Sequence, residues 1–342
     1  MNLFPYFEES FDRLDNYLRE FVREQLLERR NKLEHAIARS NKPAPLELLL
    51  EEVDGALERM ETGSFGVCET CHQAIEHDRL VSDPLTRVCL SHLSKRERDA
   101  LENDLQLAAR VQQGLLPKQN LNLDGWQICY HYEPAGLVSG DYCDFVNAGQ
   151  AGLYFMVGDV SGKGVAASML MAHLHAMFRT LISVELPLKG MLDHANRVFS
   201  ESTLPNQYAT LVCGRALPSG RIEVCNAGHP APLVFRDGDV RPLETFDLPV
   251  GMFAGEEFSV TEIQLESGQG MVIYSDGLSE ATDSSGSEYG AERLRKVLGR
   301  TPIGGPSELV TLCRQDLAAF CRDSTLTDDV TLFVLGRNGR AQ

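Results

Sequence analysis

Apolar and aromatic side chains recur at Phe7, Phe11, Leu14, Leu18, Phe21, Val22, Leu26, Leu33 and Ile37. Their early steps of four and three draw one stripe on a helix over residues 6–39. Asn41-Lys42-Pro43-Ala44-Pro45 breaks that helix, and residues 46–60 predict a second one, stopped near Gly63. Two helices around a short breaker predict an antiparallel hairpin whose stripes pack on each other or on a second copy of the chain. A third helix is expected from about Ser94 to Leu116, ahead of Pro117. In it Leu101, Leu105, Ala108, Gln112 and Leu115 form a seam of barely two heptads, with a polar Gln112 inside it. A helix of this length is marginal alone in water. It packs on its own hairpin or on the same helix of a partner.

From Trp126 onward the pattern changes. Short apolar or β-branched segments at 127–132, 153–157, 209–213, 221–225, 232–235, 271–274 and 330–335 predict strands. Asp237-Gly238 is a hairpin turn signal. Helical stretches occupy 165–184, 188–201, 291–298 and 307–321. Consecutive hairpins with helices between them predict an α+β fold, not a doubly wound parallel sheet.

The chain has 342 residues, 43% of them hydrophobic and 24% charged, which suits a folded chain of two domains, or of one large domain with an appendage. A net charge of −17 counts against non-specific binding to nucleic acid, which needs basic surface, and suits divalent cations or protein partners. No apolar run approaches the roughly 20 residues of a membrane span. The N-terminus has neither the basic start nor the apolar stretch of a signal peptide, so a cytoplasmic location is expected. Nine cysteines, three close together and six scattered, predict reduced thiols plus one metal site rather than a disulfide framework.

That metal site is Cys68, Cys71, Cys89 and His92, spaced C-x2-C-x17-C-x2-H. Each pair can sit on a tight turn that aims two ligands at one ion. Four soft-to-borderline ligands match tetrahedral zinc with no open position, which makes the site structural. Metal binding can then supply folding free energy that so short a segment cannot draw from a core. The helix, Gly63-Ser64-Phe65-Gly66-Val67-Cys68, Arg79-Leu80 and Pro84 before Cys89 resemble the zinc finger of the DksA/TraR family over residues 46–93. The chain departs from that family in its last ligand, His92 in place of cysteine.

Aspartates stand beside glycine or a second aspartate at four strand-to-loop junctions. These are Ser139-Gly140-Asp141-Tyr142-Cys143-Asp144, Gly158-Asp159-Val160-Ser161-Gly162-Lys163-Gly164, Ser275-Asp276-Gly277 and Asp328-Asp329-Val330-Thr331. Taken singly, each is an ordinary turn or cap residue. Adjacent strands can bring all four to one end of a sheet, where the carboxylates repel one another unless cations neutralise them. Hard oxygen ligands select Mg²⁺ or Mn²⁺. Two such ions can lower the pKa of a shared water and stabilise in-line displacement at phosphorus.

These strings, with Ala109-Arg110-Val111-Gln112-Gln113-Gly114-Leu115-Leu116-Pro117 ahead of them and Asn226-Ala227-Gly228-His229-Pro230 between, resemble the bacterial SpoIIE/RsbU-type phosphatases. That is a branch of the metal-dependent protein phosphatase superfamily (protein phosphatase 2C type), and the resemblance spans about residues 109–336. It implies an α-β-β-α sandwich with two Mn²⁺ or Mg²⁺ ions at one end. It also implies hydrolysis of phosphoserine or phosphothreonine on a protein, commonly an anti-sigma-factor antagonist, through a water activated by both metals. Carried over by motif, Asp159 bridges both metals with the Val160 backbone beside one, Asp276 and Asp328 complete the second, and Asp141 acts through metal-bound water. Asp159, Asp276 and Asp328 are thus the expected catalytic residues. Asp144 and Asp329 are not assigned. The family has two glycines before Asp141, whereas this chain has Ser139 first. No arginine in the motifs is placed to grip phosphate; Lys163 is a candidate, against the plainer reading of a solvated lysine. His229 is read as structural or substrate-edge.

The expected organisation is a helical hairpin at 1–62, a zinc finger at 63–93, a linker or coiled-coil helix at 94–118 and a phosphatase domain at 119–338. The expected protein is a cytoplasmic homodimer that acts on a phosphorylated protein and engages neither nucleic acid nor membrane. The competing class is a catalytically inactive phosphatase-like scaffold or a zinc-finger transcription regulator.

Overall fold

The computed structural model describes residues 5–39, 44–76, 79–80, 83–123, 125–204, 206–236, 238–299, 304–322, 324 and 326–338, but not the side chains of 5–19 and 21. The side chains of the stripe positions Phe7, Phe11, Leu14, Leu18 and Phe21 are therefore not described, and the breaker Asn41-Lys42-Pro43 lies outside the described residues. Contacts divide the chain into two units, Met1–Glu102 and Asn103–Gln342.

In the first unit, helix α1 (Pro5–Ile37) packs on α2 (Ala44–Glu61). Val22 and Leu26 of α1 meet Val53 and Ala56 of α2, as the stripe predicts. The same core continues through Phe65, Cys68, Ile75, Leu80 and Cys89. Hairpin and cysteine segment thus share one apolar interior. Helix α3 (Lys95–Leu115) opens on a reciprocal cap: the Glu97 amide donates to Ser94 Oγ at 3.2 Å and the Ser94 amide to Glu97 Oε2 at 2.9 Å.

The second unit contains eleven strands among the described residues. They are β1 (Asn120–Leu123), β2 (Trp126–Glu133), β3 (Asp141–Asn147), β4 (Leu153–Val160), β5 (Ala209–Ala216), β6 (Arg221–Ala227), β7 (Leu233–Arg236), β8 (Asp239–Pro242), β9 (Thr261–Gln264), β10 (Gly270–Tyr274) and β11 (Val330–Arg337). Its helices after α3 are α4 (Gly164–Ser183), α5 (Leu188–Ser202), α6 (Asp276–Ser279), α7 (Ala291–Gly299) and α8 (Pro306–Cys321). Two antiparallel sheets form, in the orders β1-β2-β11-β10-β7-β8 and β3-β4-β5-β6-β9.

Side chains alternate across each strand, so each sheet serves two interiors. Cys143, Phe145, Phe155 and Val157 face Ile128, Ile273, Phe333 and Leu335 between the sheets. The opposite faces take the helices. Tyr142 and Met156 meet Met171, Phe178 and Phe199 of α4 and α5, while Val272 and Val334 meet Leu294, Leu309 and Leu317 of α7 and α8. The result is four layers, α-β-β-α.

The seven predicted strands all form, most running longer than expected. β3 was read only as an acidic junction, because its aspartates hid a buried segment. β1, β8 and β9 are four-residue strands, too short for a periodic signal. The hairpin signal at 237–238 joins β7 to β8, with Gly238 at φ +84°; Asp237 lies outside the described residues.

One expectation needs correction. By length and composition α4 would suffice to cross a bilayer. Here it buries Met171, Leu174, Phe178 and Ile182 against the sheet, and its Arg179 pairs with the buried Asp144.

Candidate active site

Strand pairing gathers the four acidic motifs. In the second sheet Asp141 opens β3 and Asp159 lies near the end of β4, directly opposite one another in the register. In the first sheet β10 runs antiparallel to β11, so Asp276, just past β10, lies beside Asp328 and Asp329, just before β11. Ser275 ties these ends together. Its amide donates to Thr331 O at 3.0 Å, and its hydroxyl accepts the Thr331 amide at 2.9 Å. The two sheets meet at the same end, where the Thr331 hydroxyl donates to Asp141 Oδ2 at 2.5 Å.

This crowding demands glycine at 277 and leaves little room for a side chain at 140. A Cβ on Gly277 would lie 2.1 Å from Asp329 O. One on Gly140 would lie 3.1 Å from Val160 O and 3.2 Å from Asp159 Oδ1. Ser139 at the family's first glycine position is not among the positive-φ residues, so a side chain fits there. Its hydroxyl accepts the Asp141 amide at 3.0 Å.

The carboxylates disturb one another. Burial pushes the Asp159 carboxyl up to about 7, assisted by Asp276, Asp328 and Asp329. Burial, then Asp159, raises Asp141 well above the carboxylate range. Asp276 is raised by burial and by Asp328, and Glu280 by burial and then by Asp276. Among the described residues, the ammonium paired with this group is that of Lys163, 2.8 Å from Asp328 Oδ2. The oxygens do not crowd onto one point. Among the described residues, only the cysteine–histidine cluster brings three or more ligand atoms within 4.8 Å of one another.

The two unassigned aspartates are structural. Asp329 accepts the Ala135 amide at 2.8 Å on one oxygen and the Gly140 amide at 2.9 Å on the other, pinning the loop that leads to Asp141. Asp144, three residues after Asp141, points to the opposite face of β3 and takes a bidentate pair from Arg179 at 2.7 Å on each oxygen. His229 is buried against Thr210, whose Oγ1 lies 2.9 Å from its Nδ1. Burial lowers its pKa to about 3, which favours the neutral imidazole.

Sequence reading missed one supporting residue. Gln112 was assigned to the α3 seam, but its side chain is buried and clamps Ser139: Nε2 donates to Ser139 O at 2.6 Å, and Oε1 accepts the Ser139 amide at 3.0 Å. Its place in a heptad gave no hint of this contact across 27 residues. Replacing Gln112 with alanine strands two buried backbone groups and should cost about 2 kcal/mol or more. A fall in Tm of the second unit checks this; an unchanged Tm would show the clamp to be dispensable.

The family profile described as Stage II sporulation protein E (SpoIIE) matches residues 149–338, more than half of the chain. The chain belongs to the SpoIIE family. The matched residues include Asp159, Asp276 and Asp328 and begin after Asp141. Protein IcfG of Synechocystis is 26% identical over 264 residues, 69% of this chain but 42% of IcfG, so the chain spans less than half of that relative. Phosphoserine phosphatase RsbU of Bacillus subtilis is 25% identical over 240 residues, 69% of this chain and 71% of RsbU. The SiaA-PP2C domain of Pseudomonas aeruginosa shares the fold at a TM-score of 0.62 and 18% identity, covering 71% of this chain and 98% of that domain.

In the first unit, Cys68, Cys71, Cys89 and His92 converge from two tight turns. The first is closed by the His72 amide on Cys68 O, with His72 at φ +56°, and the second by the His92 amide on Cys89 O. Cys71 Sγ and Cys89 Sγ are 3.8 Å apart, and His92 Nδ1 is 3.2 Å from Cys89 Sγ and 4.0 Å from Cys68 Sγ. Zinc–sulfur bonds of about 2.3 Å at tetrahedral angles separate sulfurs by about 3.8 Å. Burial alone would raise the Cys68 thiol, but amides of Cys89, Cys71 and Thr70 outweigh it and bring it down to about 6, which favours a thiolate.

Proposed function

We propose that this chain is a metal-dependent protein phosphatase that hydrolyses phosphoserine or phosphothreonine on a regulatory protein. The observation that carries this reading is the convergence of Asp141, Asp159, Asp276 and Asp328 from both sheets, with the Asp159 carboxyl pushed to about 7 by burial and its acidic neighbours. When ionised, such a cluster repels itself unless cations offset it. The donors are hard oxygens without thiol or imidazole, which fits Mn²⁺ or Mg²⁺. Asp159, central in the cluster, would be shared by two ions, with the Val160 backbone at one and Asp276 and Asp328 at the other. The chemistry such ions supply is activation of a water and neutralisation of charge on the phosphoryl group. The chain's own groups set that stage. Thr331 orients Asp141, Asp329 fixes the loop before it, and Gly140 and Gly277 leave room for close approach.

By the same resemblance, the substrate is proposed to be a phosphorylated anti-sigma-factor antagonist, met in the cytoplasm. Residues 63–93 are proposed to be a DksA/TraR-like finger holding one structural zinc, and α3 to pair with its copy in a homodimer. The motivation for the dimer is the α3 seam at Leu101, Leu105, Ala108 and Leu115, of which Leu101 is 43% exposed. The deciding experiment is Mn²⁺-dependent release of phosphate from phosphorylated candidate partners, compared with Asp159→Asn. Equal rates for the two proteins would favour an inactive scaffold.

The acidic end also sets a pH dependence. An acid raised above its ordinary 3.8 holds protons in the folded chain that the unfolded chain has released. As far as this group decides, the metal-free protein should therefore be most stable below about pH 4, the unfolded value. It should lose stability as pH rises toward the folded value of about 7. Added Mn²⁺ should raise Tm more at pH 8 than at pH 5.5. Thermal melts with and without the ion check this, and an equal shift at both values would contradict it.

A further inference from the structure

We propose that Lys163, paired with Asp328 at 2.8 Å, is the substrate-phosphate contact of this site and can exchange that carboxylate for a phosphate dianion. The inference rests on the phosphatase reading above. Lys163 stands four residues after Asp159, at the N-cap of α4. Its Nζ donates to Asp328 Oδ2 at 2.8 Å and to Thr327 O at 3.0 Å.

The charges facing it are Asp328, Asp329 and Asp159, all negative. Arg179, the cation further along α4, is spent on Asp144. A phosphate dianion entering this end therefore meets one side-chain ammonium placed to receive it. An ammonium and a divalent cation on the same carboxylate repel strongly at about 4 Å. A divalent cation held by Asp328 would weaken the Lys163 pair, and a phosphate bound at this end would then be the nearest anion to the ammonium. The first-turn amides of α4, which carry no side-chain cap here, add to that pull.

The chain around Lys163 suits a change of partner. Gly162 and Gly164 flank it at φ +98° and +72°, and a Cβ on either would touch nothing within 4 Å. These glycines serve backbone conformation rather than packing. The Lys163 side chain is 69% exposed, so its head can swing without disturbing a core. Lysine binds phosphate as a mobile point charge, which matches a residue with two successive partners.

The test uses the full chain and the variants Lys163→Gln and Lys163→Arg. The first readout is inhibition by inorganic phosphate of Mn²⁺-dependent hydrolysis of para-nitrophenyl phosphate. The second is Mn²⁺ affinity by titration calorimetry without substrate. Lys163→Gln should weaken phosphate inhibition and raise KM roughly tenfold. It should also tighten Mn²⁺ binding roughly threefold, because a competing cation is gone. Lys163→Arg should keep phosphate inhibition within about threefold of the parent. Parental phosphate inhibition in Lys163→Gln, or unaltered Mn²⁺ affinity, overturns the proposal. A parent protein without Mn²⁺-dependent hydrolysis overturns the phosphatase reading beneath it, while the titration still reports whether Lys163 competes for Asp328.

Discussion

Asp159→Asn is expected to abolish Mn²⁺-dependent phosphate release, by about 1,000-fold or more, while leaving the metal-free protein folded and more heat-stable than its parent. Asp159 faces Asp141 across the β3–β4 pair and senses Asp276, Asp328 and Asp329. An amide there removes the group that two ions would share. It also removes the charge that most disturbs the cluster, and each kcal/mol of relieved repulsion should raise Tm by about 2–4 °C in a unit of this size. The opposite signs are the diagnostic feature. A scaffold without catalysis would show the gain in Tm alone, and a damaged fold would show loss of both. Matched melts at pH 8 and steady-state rates with Mn²⁺ separate these cases. Retained activity in Asp159→Asn would remove the basis for the mechanism.

Cys89→Ser should collapse the first unit and spare the second. Cys89 is 6% exposed, lies in the core shared by α1, α2 and the finger, and sits 3.8 Å from Cys71 Sγ and 3.2 Å from His92 Nδ1. Structural zinc contributes about 10–16 kcal/mol to folding small modules at neutral pH, comparable to the whole stability of an average domain. Loss of one ligand should therefore empty the site and open residues 44–93 to protease. Hydrolysis of para-nitrophenyl phosphate should survive, since the second unit has three cores of its own. Zinc content by metal analysis and limited proteolysis check the expectation. Parental protease resistance in a zinc-free Cys89→Ser protein would show that the α1–α2 packing alone carries the unit.

Much of this is legible in the sequence. The C-x2-C and C-x2-H pairs are local, and four atoms within 4.8 Å follow from two tight turns. Long strands and helices announced themselves through alternation and three-to-four spacing, because burial of one face imposes a period. β1, β8 and β9 did not, since four residues at a sheet edge carry too little pattern. β3 is obscured for another reason: Asp141 and Asp144 interrupt the apolar alternation of a buried strand.

The separation of roles among neighbouring aspartates was beyond the sequence. Asp141 and Asp144 belong to one motif, yet the pleat sends one toward the acidic end and the other to Arg179. Asp328 and Asp329 are adjacent, yet one faces Lys163 while the other is consumed by two backbone amides. Gln112 read as part of a helix seam and instead braces Ser139.

By itself the sequence determined which chemistry is present: oxygen ligands in four motifs, sulfur and imidazole in one, and the segments able to bury a face. Such information resides in side-chain identity and short-range periodicity, which the chain carries locally. Only the tertiary structure decided which oxygens meet, which are already satisfied and which cation stands among them. Those outcomes depend on strand register and on partners up to about 190 residues away, such as Asp141 and Thr331, and no local pattern encodes them.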